Sequence, residues 1–117
     1  MTRSLAGLAG VVAMMVASVA QAMSIREWRG LEQVEPAGAL HAQYYLIGVL
    51  EGLREAADQA AREGGRAPFC VAGRRLEPRM ALSLYQGELR RNATLYEADM
   101  PVQFVLSQAL RNNYPCN

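Results

Sequence analysis

The sequence predicts an all-α domain, a small bundle of about four helices closed by one disulfide. Three observations point to this fold class. Apolar residues recur at helical spacing in the longest segments, no segment keeps the alternation of a strand, and the chain has only two cysteines, far apart. The domain is expected to cover residues 23–117, enough chain for one hydrophobic core.

The first 22 residues are predicted to be an export signal that is removed. Arg3 gives a positive start, residues 5–19 are apolar apart from glycine and serine, and small residues stand at Ala20 and Ala22. This order is typical of a secretory signal cut after Ala22. The alternative is a retained membrane anchor. It is disfavoured because the apolar run is about 15 residues long and a spanning helix needs about 20.

The mature domain is predicted to be electrically neutral. All 12 basic residues are arginine, and without Arg3 their number equals that of the 11 acidic residues. A neutral domain has no overall field that attracts DNA, RNA or anionic lipid, so neither a nucleic acid nor a membrane is an expected partner. The pairs Arg74-Arg75 and Arg90-Arg91 are too short for a nucleic-acid footprint.

Cys70 and Cys116 are predicted to form a disulfide, as two cysteines usually do in an exported chain of this size. The bridge would close a loop of about 47 residues and stabilise the fold by about 4 kcal/mol in the chain-entropy model. Cys70 as a nucleophile with His41 as its base is the disfavoured alternative. Two cysteines and one histidine also lack the clustered spacing of a zinc site, so no metal or cofactor is expected.

Two helices are predicted in the first half of the domain. The run from Ser24 to Glu27 matches the S-x-x-E capping box and predicts a short helix through Trp28 and Leu31. After the break at residues 35–38, the longest helix is expected from about Ala39 to Arg62. Its predicted apolar stripe consists of Leu46, Leu50, Leu53 and Ala57, widened by Tyr44 and Ile47.

A second line of small residues follows the same helix: Gly48, Gly52, Ala56 and Ala60 are each four residues apart. Glycine inside a helix costs about 0.8–1.0 kcal/mol relative to alanine, so two of them predict a packing reason. We favour a tight crossing with another helix of the domain. The alternative is a close contact between two copies in a homodimer.

The second half is expected to begin with an exposed loop at residues 63–68, where Gly64 or Gly65 ends the long helix. Residues 69–71 then form a short apolar anchor before the charged turn at residues 73–75. Glu77 and Pro78 open the third helix. Its predicted apolar face comprises Ala81, Leu82, Tyr85 and Leu89.

The last helix has the clearest pattern. Asp99 is its predicted N-cap, and Pro101 follows in the first turn. The helix should stop near Asn112-Asn113, because Pro115 prevents continuation. Its apolar stripe contains Val102, Val105, Leu106, Ala109 and Leu110.

Catalysis is not predicted. No G-x-S-x-G elbow surrounds Ser83 or Ser107, and no glycine-rich run stands between a strand and a helix. His41 is the only histidine and is expected to be a partly exposed helix residue. An enzyme that uses His41 is therefore the weakest hypothesis.

Several motifs, taken in order, are similar to those of a known family. They are the stretch from Tyr44 to Leu53, written YYLIGVLEGL, then Phe69-Cys70-Val71, then a helix with Leu82 and Tyr85, and finally Ala109-Leu110 and Tyr114-Pro115-Cys116. Together they resemble the Rap/Tai family of periplasmic immunity proteins, which inhibit peptidoglycan amidase effectors of type VI secretion systems. The resemblance covers roughly Leu40 to Cys116, most of the mature chain.

The resemblance implies a small all-α periplasmic domain, sometimes dimeric, whose disulfide matches Cys70 and Cys116. It implies function by binding: the protein would block the active-site cleft of a cognate cell-wall amidase and protect the producing cell. Exposed loops are the natural contact points. Our candidates for partner binding are Arg66, Arg74 and Arg75, and the alternative is that these arginines only keep the domain soluble.

A second functional hypothesis is a periplasmic stress or folding-helper protein without a toxin partner. The neutral charge, the small size and the six methionines of the chain point toward it. Only Met23, Met80 and Met100 remain after the signal is removed, which weakens the case for a methionine-rich promiscuous surface.

Overall fold

The computed structural model describes residues 22–71 and 73–117, so the predicted signal lies outside the described residues except for Ala22. The all-α prediction is confirmed: these residues form four α-helices and one 3-10 turn, without a β-strand. The predicted disulfide between Cys70 and Cys116 is present. The elements are α1 (Ile25–Glu32), α2 (Gly38–Arg62), α3 (Pro78–Arg91), the 3-10 turn (Ala93–Leu95) and α4 (Val102–Asn113).

Helix α1 begins with the predicted capping box. The Ser24 hydroxyl accepts a hydrogen bond from the Glu27 amide at 3.1 Å, and the Ser24 amide donates to the Glu27 carboxylate at 3.2 Å. These bonds satisfy two backbone groups that a helix start would otherwise leave unpaired. Trp28 is buried, and its indole N–H donates to the Ala42 carbonyl at 2.9 Å. The tryptophan therefore fastens α1 to α2.

Helix α2 has the predicted bounds to within one residue. Every residue of its predicted stripe except Tyr44 is either buried or packs partly buried against the core. Leu46, Leu50 and Ala57 are buried, together with Ala42. The prediction for Tyr44 is wrong, because its side chain is 58 % exposed. Tyr44 precedes Leu46 by two residues, which is about 200° around the helix, so it faces away from the core.

The line of small residues on α2 does not pack against another described helix. Gly48 and Gly52 are exposed, and a Cβ atom built at either position meets nothing within 4 Å. The favoured prediction, a tight crossing inside the domain, is therefore wrong for the described residues. A contact between two copies stays a prediction. Gly38 is the glycine of α2 that a neighbour restricts, since a Cβ there would overlap the backbone carbonyl oxygen of Leu31.

Two alanine substitutions in α2 are expected to act in opposite directions. Gly48→Ala should raise the free energy of unfolding by about 1 kcal/mol, because alanine favours the helix and the position is open. Gly38→Ala should lower it by about 1–3 kcal/mol, because the Leu31 carbonyl must move. Urea denaturation of residues 23–117 measures both. Destabilisation by Gly48→Ala would contradict the open surface and point to a contact with a second copy.

Helix α3 is the central element and packs on both α2 and α4. It buries Ala81 and Tyr85 as predicted, and also Leu84 and Glu88. The other two residues of the predicted apolar face, Leu82 and Leu89, are partly buried and pack against the core. A helix that is covered from two sides buries a broader band than one apolar stripe, and this band includes a carboxylate.

Helix α4 buries all five residues of its predicted stripe. The prediction that Asp99 caps it is wrong, since Pro101 occupies the N-cap position and no side chain caps the helix. The Val102 amide instead donates to the Met23 carbonyl at 2.9 Å. Ser24 and Pro101 also pair in an isolated antiparallel β-bridge. The Met23 carbonyl, and not the Asp99 side chain, therefore accepts a hydrogen bond from the first amide of α4.

Candidate functional site

The disulfide lies at the protein surface, and the residues beside Cys70 are buried and anchor its segment in the core. Cys70 and Cys116 are exposed and their Cα atoms are 5.1 Å apart. Phe69 and Val71, on either side of Cys70, are buried in the core. The Cys70 amide also donates to the Tyr114 carbonyl at 2.7 Å. We refer to residues 63–71, 73–77 and 114–117 as the disulfide end.

The first cleft at the disulfide end has a volume of about 530 Å³. Arg66 and Arg111 line it, and Pro68, Pro115 and the disulfide give it stiff walls. Arg66 could be predicted from the sequence, whereas Arg111 was not among the predicted residues. Arg111 lies in the last turn of α4, and its position beside Arg66 depends on how the C-terminal tail folds back.

The second cleft, of about 360 Å³, is lined by Arg74 and Arg75 together with Arg54 of α2. Glu51 and Glu77 also line it, so its charge is mixed. The Arg74 guanidinium lies over the Tyr114 ring at 4.8 Å from the centroid, and the Arg74 carbonyl accepts a hydrogen bond from Arg54 at 3.0 Å. Arg74 therefore already makes contacts within the domain that stabilise the fold.

The structure brings the three predicted arginines to one end of the bundle, around two clefts. Tyr114 contacts the residues of both clefts. Its carbonyl accepts a hydrogen bond from the Cys70 amide, and the Arg74 guanidinium lies over its ring. Within the described ranges, the one ion pair joins Arg62 to Glu55 at 2.7 Å. Arg66, Arg75 and Arg111 therefore have no acidic partner there, and their guanidinium donors remain available for carboxylates or carbonyls of another molecule.

His41 is exposed on α2, which agrees with its expected role as a helix residue. Cys70 has no free thiol, because it is bonded to Cys116. The part of the chain that the structure describes contains no group of three or more histidine, cysteine or acidic residues placed to hold a metal ion. None of its helices combines the length and the apolar content needed to cross a membrane.

A buried carboxylate, which the sequence did not predict, lies on α3. Glu88 of α3 is 1 % exposed, and its carboxylate accepts three hydrogen bonds. The donors are Asn92 at 3.0 Å, Tyr96 at 2.7 Å and Asn112 at 3.1 Å. Burial alone would raise the pKa of Glu88, but these hydrogen bonds and the charge of Arg91 lower it below its usual 4.5. The carboxylate therefore ties α3 to the 3-10 turn region and to α4.

No protein-family model, curated protein or solved structure matches this chain.

Proposed function

We propose that this protein is a periplasmic inhibitor, which binds a secreted cell-wall amidase through the disulfide end and protects the producing cell. The observation that supports binding at this end is the set of three arginines without acidic partners, Arg66, Arg75 and Arg111, around two clefts. The choice of partner class comes from the motif resemblance described above.

The construction of the disulfide end suits a protein inhibitor. A bridge, two prolines and the buried anchors Phe69 and Val71 hold the clefts in shape before a partner arrives. A surface that is already ordered loses less conformational entropy on binding. A standard interface buries about 800 Å² on each partner, so a partner would cover both clefts rather than enter one. Arginine is among the residue types enriched in such interfaces.

The first experiment is a pull-down with tagged residues 23–117 from an extract of the bacterium that makes the protein, read by mass spectrometry. Recovery of one cell-wall amidase in near-equal amount supports the proposal. Recovery of many unrelated periplasmic proteins contradicts it and favours the folding-helper hypothesis. That second function has one structural observation in its favour, the exposed large apolar side chains Val34, Leu40, Tyr44, Leu95 and Phe104.

Charge reversal at the disulfide end is expected to weaken the amidase complex. Arg66→Glu and Arg75→Glu should each raise the dissociation constant at least tenfold, about 1.4 kcal/mol, because each places a carboxylate where a donor was available. Both side chains are exposed, so the melting temperature should stay the same. Isothermal titration calorimetry measures the affinity.

Arg26→Glu is the matched control, since Arg26 is also exposed but lies in the first turn of α1 and lines neither cleft of the disulfide end. It should leave the dissociation constant unchanged. If Arg26→Glu weakened the complex as much as Arg66→Glu, the effect would come from net charge and not from the clefts.

A further inference from the structure

We propose that a cleft between α3 and α4 binds a phosphate group. The cleft has a volume of about 290 Å³. Its polar lining consists of Ser83, Arg90 and Arg91 of α3 and Asn113 of α4, and Gly87 also borders it. It shares no lining residue with the two clefts of the disulfide end, so its ligand is independent of the amidase proposal.

The first reason is that the polar groups of this cleft are within reach of a ligand. Ser83, Arg90, Arg91 and Asn113 are all exposed. Within the part of the chain that the structure describes, neither arginine donates a hydrogen bond or forms an ion pair. The Asn113 side-chain amide donates to the Ala109 carbonyl and has a second hydrogen left over. The donors of both guanidinium groups therefore remain available.

The second reason is the charge of the two helices. Helices α3 and α4 carry four exposed arginines, and their one acidic residue, Glu88, is buried. The charge of Glu88 acts on Arg91 and offsets part of its field, but the cleft stays positive through Arg90. The exposed carboxylates of the long helix lie instead on α2, at residues 51, 55 and 58. The neutral net charge is thus unevenly distributed, and the α3–α4 face attracts anions.

The third reason is the position of the Arg91 guanidinium, which lies across α3 over Gly87. A Cβ atom built at Gly87 would be 3.3 Å from Nη2 of Arg91 and 3.9 Å from its Cζ. Residues four apart are neighbours on a helix, and long side chains point back toward its N-terminus. Glycine is unfavourable inside a helix, and this close approach is a reason for it here. Gly87 therefore leaves the guanidinium room beside Ser83.

Phosphate suits this set of donors better than a carboxylate. Two guanidinium groups, a hydroxyl and an amide provide more donors than the two oxygens of a carboxylate need. A phosphate monoester has three terminal oxygens and a charge of about −1.5 to −2 at neutral pH, and a guanidinium binds two of these oxygens at once. The cleft is larger than one phosphate group, so we expect the phosphate on a larger molecule, either a soluble ester or a lipid headgroup.

The probe is glycerol 3-phosphate, titrated into residues 23–117 at constant ionic strength while the backbone amide resonances are followed by NMR. We expect a saturable shift of the Ser83 and Gly87 amides with a dissociation constant of about 1 mM, a normal affinity for so small a ligand. Acetate should bind about tenfold more weakly, and glycerol should cause no shift. The absence of a saturable shift, an equal response to acetate, or shifts at the disulfide end alone would overturn the proposal.

Vesicles distinguish the two sources of the phosphate. The protein is sedimented with phosphatidylcholine vesicles that contain phosphatidic acid, in the absence and presence of glycerol 3-phosphate. Sedimentation that glycerol 3-phosphate prevents supports a lipid headgroup as the ligand. A saturable NMR shift without sedimentation supports a soluble phosphate ester.

Variants test the individual groups. Arg90→Gln and Arg91→Gln should each weaken phosphate binding about fivefold, with the melting temperature unchanged, because both side chains are exposed. Gly87→Ala keeps every charge but displaces the Arg91 guanidinium, so it should weaken binding while leaving the melting temperature unchanged or higher.

Arg79→Gln is the matched control, since Arg79 is an exposed arginine of α3 that does not line the cleft. It should leave the phosphate affinity unchanged. If Arg79→Gln weakened binding as much as Arg91→Gln, or if both cleft variants bound phosphate as the native chain does, the site would be refuted.

Discussion

Replacing Cys70 with serine is expected to lower the free energy of unfolding by about 4 kcal/mol and the melting temperature by about 15–30 °C. The bridge joins residues 46 positions apart, so it removes much conformational freedom from the unfolded chain. Both cysteines are exposed, so their replacement opens no cavity in the core. A domain of this size has a total stability of only about 5–15 kcal/mol, and the loss is therefore a large share.

Circular dichroism of residues 23–117, heated with and without a reducing agent, measures this effect. Cys116→Ser should behave like Cys70→Ser, because either change removes the same bond. The double variant is the control for the reducing agent, which should not alter it further. A melting temperature that is the same in oxidised and reduced protein would show that the bridge contributes nothing to stability.

Replacing Glu88 with glutamine is expected to lower the free energy of unfolding by about 2–4 kcal/mol at neutral pH. Glutamine has nearly the same size, so the packing of α3 is kept. However, the three groups around Glu88 all donate, and the new amide brings a donor among them. At least one of these groups must then turn to accept a hydrogen bond or lose its partner, in a site that is almost closed to water, and the negative charge that strengthened all three bonds is gone.

The same substitution should change how stability depends on pH. The folded-state pKa of Glu88 is lowered, so its carboxylate contributes stability at pH values above the unfolded pKa of 4.5. That contribution is lost as the pH falls from there through the lower folded pKa. As the pH falls below about 4.5, the stability of the native chain should therefore decrease more steeply than that of Glu88→Gln.

Urea denaturation at several pH values tests this expectation. Glu51→Gln is the control, because Glu51 is an exposed glutamate on α2 and should leave both the stability and its pH dependence nearly unchanged. Equal slopes for the native chain and Glu88→Gln would mean that Glu88 does not carry the acid sensitivity.

The features predicted correctly are those that short stretches of sequence determine. The capping box of Ser24 and Glu27 involves residues three positions apart. The stripe of α4 follows from helical spacing alone, and Gly64 ends α2 with the positive φ of 83° expected of such a glycine. The disulfide is the exception, since its cysteines are 46 positions apart; it could be predicted because the chain has only two cysteines.

The features that were missed depend on distant partners. Asn112 reaches Glu88 from 24 residues away, and no local pattern marks the pair. Asp99 is a good N-cap by residue type, but the Val102 amide donates to the Met23 carbonyl, which lies at the other end of the domain's sequence. At the candidate site, the loop arginines could be identified as exposed. Arg54 and Arg111 could not be assigned to the site from the sequence, because only the packing of the bundle and the path of the C-terminal tail bring them beside those loops.

The pairing of the domain's first residues with the start of α4 has a consequence for the order of events during synthesis. The Ile25 amide donates to the Met100 carbonyl, and the Arg26 amide donates to the Ala98 carbonyl. Residues 98–102 follow Ile25 by more than 70 positions, so a ribosome makes them much later. The first residues of the domain therefore have no backbone partners until the start of α4 has been made. During synthesis this pairing is expected to form after α2 and α3 are already present.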